Sequence, residues 1–352
     1  MIFTTLKKAL HWAIVSVAFL PFCAATFILA MIARCRTTVS YKNARLVWGP
    51  TPIINNKYWS DAMKQAGFSS QTFMKGFSYS INKHADYDEY VADRYKLLSL
   101  KVKLPVLIWE SLFRFDVFIL SYNGWLLGEG PKLLWCLEPL LLRLAGKKIV
   151  IIPYGSDGYV YRNIRSPSLL HGLLMSYPES SRIQDKIEAH VRLWTKHAHC
   201  VVPVIMGVDG IGRWDTICLS PVCIDTNQWT PNDRISAADG QNNTVNIVHT
   251  PNHTGIKGTE FIVDAIETLK EEGLKINLIL LQNIQNDKVR EILQKDADIL
   301  VEQLICTGHG INAVEGMASG LPVVSILEDE LYTPIFRRWS FLKKFTLVSA
   351  QP

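Results

Sequence analysis

No C-x-x-C pair occurs in this sequence, and its seven cysteines (Cys23, Cys35, Cys136, Cys200, Cys218, Cys223, Cys306) are scattered and odd in number. That excludes a disulfide framework and a zinc ribbon, and a reducing compartment is expected. The stretch "KHAHC" (196–200) sets two histidines beside a cysteine, but no further ligand follows at metal spacing, so no metal site is expected. Charge of one sign is also lacking. The 37 Lys and Arg stand against 32 Asp and Glu, well mixed, for a net +5, and no cationic stripe is dense enough to track a nucleic-acid backbone. No nucleic-acid partner is expected. Hydrophobic residues reach 48% and charged residues only 20%, which rules out a disordered or fibrous chain.

The sharpest absence lies near the N-terminus. From His11 to Ala33, "HWAIVSVAFLPFCAATFILAMIA" holds no Asp, Glu, Lys or Arg. As a helix rising about 1.5 Å per residue, this run spans roughly 34 Å, enough for a bilayer core. Residues 1–36 are accordingly expected to form an N-terminal membrane anchor, with 11–33 as the membrane segment. A cleaved signal peptide and a buried core helix are the alternatives. Lys7 and Lys8 precede the run, while Arg34, Arg36, Lys42 and Arg45 follow it, so the body is expected on the cytoplasmic side of an inner membrane. Pro21 leaves single-pass and monotopic arrangements both open.

The rest of the 352 residues suffices for two cores. Apolar runs at 45–49, 116–122, 147–154 and 199–205 read as buried strands, with helices between them at 57–67 and 178–198. This alternation implies a mostly parallel sheet covered on both faces, over residues 43–229. The segment 230–244, "TPNDRISAADGQNNT", has almost no large apolar residue and reads as a linker. A second series follows over 245–352, with strands at 245–250, 276–282, 298–304 and 322–327. Its helices are expected over 257–272, 286–296 and 310–318. The fold class is thus α/β, two Rossmann-like domains with the cleft between them as the place for a ligand.

Two stretches in the second series can carry chemistry. In "HTPNHTGIKGTE" (249–260), Gly255 and Gly258 let a backbone approach a ligand, while Lys257 adds charge at a helix start. The bland reading is a surface turn. The following helix is expected to bury Phe261, Ile262, Ala265, Ile266 and Leu269. In "TGHGINAVEGMASGLPVV" (307–324), Gly308 and Gly310 precede a helix carrying Glu315, either a solvated helix-face carboxylate or a ribose-binding one. In the first series, "IIPYGSDG" (151–158) brings Tyr154, Gly155 and Asp157 to a strand end. Asp157 can orient an acceptor hydroxyl or serve as a turn residue. "GPTPIINN" (49–56) occupies the first strand-to-helix loop, where Asn55 can cap the next helix.

Together these stretches resemble the donor-binding half of the GT-B glycosyltransferases, in particular the family-4-like group of bacterial surface-polysaccharide synthesis. The resemblance runs from "VWGPTPIINNKYWSDAMKQAG" through "RLAGKKIVIIPYGSD" and "CIDTNQWTP" to "VVSI". It implies that Lys257 holds a donor diphosphate and Glu315 a ribose. It also implies that the loop from Gly49 to Asn55 makes acceptor and diphosphate contacts. The donor is a nucleotide-diphosphate sugar, no other cofactor is implied, and transfer is retaining and metal-independent. The acceptor is lipid-linked or a glycan. Two positions depart from the family pattern. An arginine is expected before the lysine, where Asn252, His253 and Thr254 stand, and a second carboxylate where Thr307 stands. His253 and His309 can serve there as hydrogen-bond donors. These departures motivate a second expectation, a catalytically degenerate binding or scaffold protein. Finally, "PIFRRWSFLKKF" (334–345) interleaves cations with aromatics and suits a membrane interface or a covering helix.

Overall fold

A computed structural model describes residues 22–36, 43–76, 82–128, 130–203, 211–216, 222–231, 237–306, 308–326 and 348–349. Thr307 and the 334–345 stretch lie outside them. The first half builds six strands: β1 (Arg45–Gly49), β2 (Ser69–Met74), β3 (Glu89–Tyr90), β4 (Val117–Leu120), β5 (Lys148–Ile151) and β6 (Cys200–Val201). They lie in the order β3-β2-β1-β4-β5-β6, and every pairing is parallel. Parallel strands must be joined by crossovers, which here are helices packed on the faces. These include α2 (Ile54–Gln65), α3 (Leu100–Arg114), α4 (Lys132–Leu144), α5 (Pro167–Ser176), α6 (Pro178–Arg182) and α7 (Gln184–His197). Val47, Phe118 and Ile149 of the central strands form a core with Leu112, Trp125 and Trp194.

The second half builds β7 (Val245–His249), β8 (Ile276–Leu280), β9 (Ile299–Gln303), β10 (Val323–Ser325) and β11 (Val348–Ser349), in the order β11-β10-β9-β7-β8, again all parallel. Its helices are α8 (Thr254–Lys257), α9 (Thr259–Glu271), α10 (Asn286–Lys295) and α11 (Ile311–Ala318). Trp229 and Ile224 pack into this core beside Val248, Leu293 and Leu300. The architecture is α/β with two parallel sheets of Rossmann-like organisation. In each, the chain reverses its direction of travel across the sheet at one point: between β1 and β4 in the first, between β7 and β9 in the second. Ligands of open parallel sheets sit at such points, outside the carboxyl ends of the strands.

Three local expectations are corrected. The helix expected over 178–198 breaks at Ile183, whose backbone (φ −115°, ψ 24°) separates α6 from α7. The helix expected from 257 divides at Gly258. Along α9, Phe261 and Ala265 face solvent while Ile262 and Ile266 are buried, a narrower apolar stripe than expected.

The N-terminal expectation changes most. Residues 22–36 form a helix, α1, that lies against the first sheet's helices. Thr26, Ala30 and Ala33 recur at the three-to-four-residue spacing of one helix face and are buried there. Trp109 Nε1 donates to Thr26 Oγ1 at 2.9 Å, and the Phe22 ring stacks on Trp109. Residues 22–33 of the expected anchor are thus docked on the protein. Among the described residues no helix is long and apolar enough to cross a membrane. Residues 11–21 lie outside them.

Candidate functional site

At the carboxyl end of the second sheet, the stretch around Lys257 folds as one turn of helix (α8), a hinge, then α9. Gly258 takes φ +71°, the left-handed region, which links the two helices at no steric cost. Gly255 is needed for a different reason. A Cβ there would stand 2.5 Å from Met175 Cβ and 3.3 Å from the Gly172 carbonyl, both on α5 of the first half. Ile256 N–H also donates to Ser176 Oγ at 2.8 Å. The glycine pair therefore serves a close helix contact between the two halves and a backbone reversal. Gly255→Ala is expected to lower stability by about 1–3 kcal/mol, the usual effect of overpacking, read from the denaturant midpoint. An unchanged midpoint would show that the α5–α8 contact yields freely.

Lys257 points to the end of β9. Its Nζ pairs with the Glu302 carboxylate and donates to Gln303 Oε1 at 2.6 Å. Glu302 is only 2% exposed and also accepts from Gly310 N–H (3.3 Å) and Ser325 Oγ (3.2 Å). Gln303 Nε2 donates to the carbonyls of Cys306 and Gly308, fixing the loop that leads to α11. His309 lies in the same loop, where burial lowers its pKa and favours the neutral imidazole. Sequence reasoning missed Glu302 and Gln303. The signal was available, since two polar residues end a strand whose other positions are aliphatic.

Glu315 on α11 is 2% exposed rather than solvated. Asn286 Nδ2 (2.9 Å) and Asn312 Nδ2 (3.2 Å) donate to its carboxylate. Burial raises its pKa against those two hydrogen bonds. Asn312 Oδ1 in turn accepts from Thr250 Oγ1 at 2.6 Å, which ties α11 to the end of β7. Lys257 and Glu315 thus occupy the same edge of the second sheet. The His253 ring packs at a tilt of 50° against Tyr177 of the first half, with centroids 4.4 Å apart, and Asn252 is exposed beside it.

The first half meets this edge. Burial, and then the Glu315 carboxylate, push the Tyr58 phenol on α2 up to about 12. Lys83 Nζ lies 2.5 Å from Asp287 Oδ2 on α10. Both partners of that ion pair are about half exposed, so its contribution is small. Tyr58 and Lys83 carry no motif and were not expected.

At the carboxyl ends of β1, β4 and β5, Thr51, Asn56, Ser121 and Tyr154 line a small cavity together with Ile53 and Ile152. Asn56 Nδ2 donates to the Thr51 carbonyl at 2.9 Å, and Asn123 Nδ2 to the Tyr154 hydroxyl at 2.8 Å. Asn55 lies in the first turn of α2 rather than at its N-cap, which is Ile53. Asp157 lies beneath this surface, 5% exposed. Its Oδ2 accepts from Tyr122 N–H, and its Oδ1 from Tyr154 and Gly155 N–H, at 2.9–3.0 Å. Burial raises its pKa to about 6 in spite of these bonds. Its carboxylate is thus engaged with backbone, joining the loops after β4 and β5, and that geometry makes Asp157 a positioning residue.

Two Asp-x-Asp triplets, Asp86-Tyr87-Asp88 and Asp296-Ala297-Asp298, also occur in the chain and bear on the expected metal independence. In both, carboxylates serve the scaffold. Asp88 accepts from Thr72 N–H and Oγ1 and pairs with Lys64, while Asp298 accepts from Asn246 N–H. Among the described residues no group of three or more His, Cys, Asp or Glu is placed to hold a metal ion. No family model and no curated protein matches the chain.

Proposed function

We propose that this protein is a GT-B glycosyltransferase, moving a sugar from a nucleotide-diphosphate donor to a lipid-linked or glycan acceptor at the cytoplasmic face of a membrane. One observation carries the reading: Lys257 and the buried Glu315 share the edge of the second sheet at its switch point, with Tyr58 and Lys83 of the first half opposite. In this reading Lys257 stabilises the leaving diphosphate, while Glu315, held by Asn286 and Asn312, accepts from the ribose hydroxyls. Asp157 sets the loops that present Tyr154 and Gly155 to the acceptor. Closure of the two halves over the reacting sugar excludes water.

The test is calorimetric titration of the protein with nucleoside diphosphates and nucleotide sugars, repeated on Glu315→Gln. The parent protein is expected to bind. The amide keeps one acceptor oxygen and loses charge, so affinity is expected to fall about tenfold or more. An inert parent protein would remove the transferase reading.

A specific contact favours a second reading. The Glu302 carboxylate already neutralises the cation that the donor diphosphate needs. If Glu302 never releases Lys257, the protein is a degenerate transferase that contributes a folded surface to a polysaccharide-assembly complex. Titration separates the two, since only the first binds nucleotide.

A further inference from the structure

The apolar N-terminal helix leaves half of itself uncovered. Thr26, Ala30 and Ala33 face the protein, but Phe27 (56% exposed), Ile28 (57%), Met31 and Ile32 face outward. On the neighbouring α4, Leu133 (56%) and Leu140 (46%) do the same. The two sets are continuous, because Phe27 of α1 and Leu137 and Leu140 of α4 line one apolar cavity of about 220 Å³. An exposed apolar surface of this extent marks an interaction site.

Charge narrows the occupant. No acidic residue occurs on α1, and the single carboxylate of α4, Glu138, is only 1% exposed. Cations stand at the helix ends: Arg34 and Arg36 on α1, Lys132 and Arg143 on α4. Arg34 Nη1 reaches the Leu144 carbonyl, so the C-terminal ends of the two helices lie together. The exposed side chains of the face are aliphatic or aromatic and offer a partner protein no hydrogen bond. The uncharged run 11–21 leads directly into α1. An apolar face bordered by cations matches the acyl and headgroup layers of an anionic bilayer.

We propose that the joint face of α1 and α4 is a bilayer-docking surface on which the protein lies against anionic lipid. Helix α1 then acts as an in-plane element fixed to the α/β unit. The inference needs no nucleotide chemistry, so it stands or falls apart from the transferase reading.

Flotation of the full chain with vesicles tests it, using phosphatidylcholine alone and phosphatidylcholine with phosphatidylglycerol in equal parts. The protein is expected to float with the mixed vesicles, less with neutral ones, and less again as salt rises. The triple variant Phe27→Ser, Ile28→Ser, Leu133→Ser removes exposed side chains only and is expected to keep the melting temperature. Its partition should fall about tenfold or more. Phe261→Ser, a comparably exposed position on α9, serves as the control and should float unchanged. A triple variant that floats like the parent would place the membrane contact elsewhere and overturn the proposal. A parent protein that ignores both vesicles would overturn it too. A dimer in sedimentation would then favour a second copy of the chain as the occupant of this face.

Discussion

Glu138→Ala is expected to destabilise the first half by about 3–6 kcal/mol. Glu138 is the lone charge within the apolar stretch "LLWCLEPLLL" of α4, and its carboxylate is fully buried. It faces three consecutive backbone donors: Oε2 accepts from Trp125 N–H at 2.9 Å, and Oε1 from Leu126 and Leu127 N–H at 2.7 and 2.8 Å. Burial pushes its pKa up, and these three bonds hold it down. Alanine would leave three buried N–H groups without a partner, each costing about 1–3 kcal/mol, less whatever entering water recovers. The melting transition should drop by roughly 10 °C. Glu138→Gln tests the cause. Its single carbonyl can keep the Leu126 and Leu127 bonds, but its NH₂ then meets the Trp125 N–H, so the loss should lie between alanine and the parent. A glutamine variant as stable as the parent would show that the carboxylate is not what holds the loop. The effect reaches the site, because the same loop carries Asn123, the donor to Tyr154.

That residue illustrates what the sequence could and could not reveal. The second sheet was legible because β7, β8, β9 and β10 are short aliphatic runs bounded by polar residues, the pattern of a strand buried on both faces. Strand β2, "SSQTFM", lacks the aliphatic run of its neighbours and was not expected, yet it lies next to β1 inside the sheet. Its polar side chains are satisfied by partners distant in sequence: Ser70 Oγ accepts from Trp48 Nε1, and Thr72 pairs with Asp88. Such pairings are invisible in a local pattern. The same holds for α1. Uniform apolarity across 11–33 could not show which face would meet protein, since Thr26 against Trp109 and the buried Ala30 and Ala33 read no differently from a lipid-facing stripe. At the site, Lys257 and Glu315 could be named from their strand-to-helix context. Glu302 carried only the weaker signal of a polar strand end, and its pairing with Lys257 depends on β9 lying beside β7.

Glu302 also yields the most discriminating prediction about function. Lys257→Ala would leave a buried carboxylate with Gly310 N–H and Ser325 Oγ as its donors among the described residues, and should cost about 3 kcal/mol or more. Glu302→Gln removes the buried charge instead. Lys257 is 22% exposed and keeps Gln303, so the glutamine variant should lose at most about 1 kcal/mol. The double variant should recover much of what Lys257→Ala loses, which a thermodynamic cycle on the four proteins would measure. Ligand affinity should move in the opposite sense to the pair's integrity. If Lys257 meets a diphosphate, Glu302 competes with that ligand for the same ammonium. Glu302→Gln should then bind nucleoside diphosphates about tenfold more tightly by calorimetry, and Lys257→Ala more weakly by a similar factor or more. The alternative makes the opposite forecast. If the pair is a permanent strut of a non-catalytic fold, neither variant binds, and the cycle shows coupling in stability alone. If Glu302→Gln and Lys257→Ala weaken binding equally, Glu302 itself touches the ligand, and the competition between carboxylate and diphosphate is refuted.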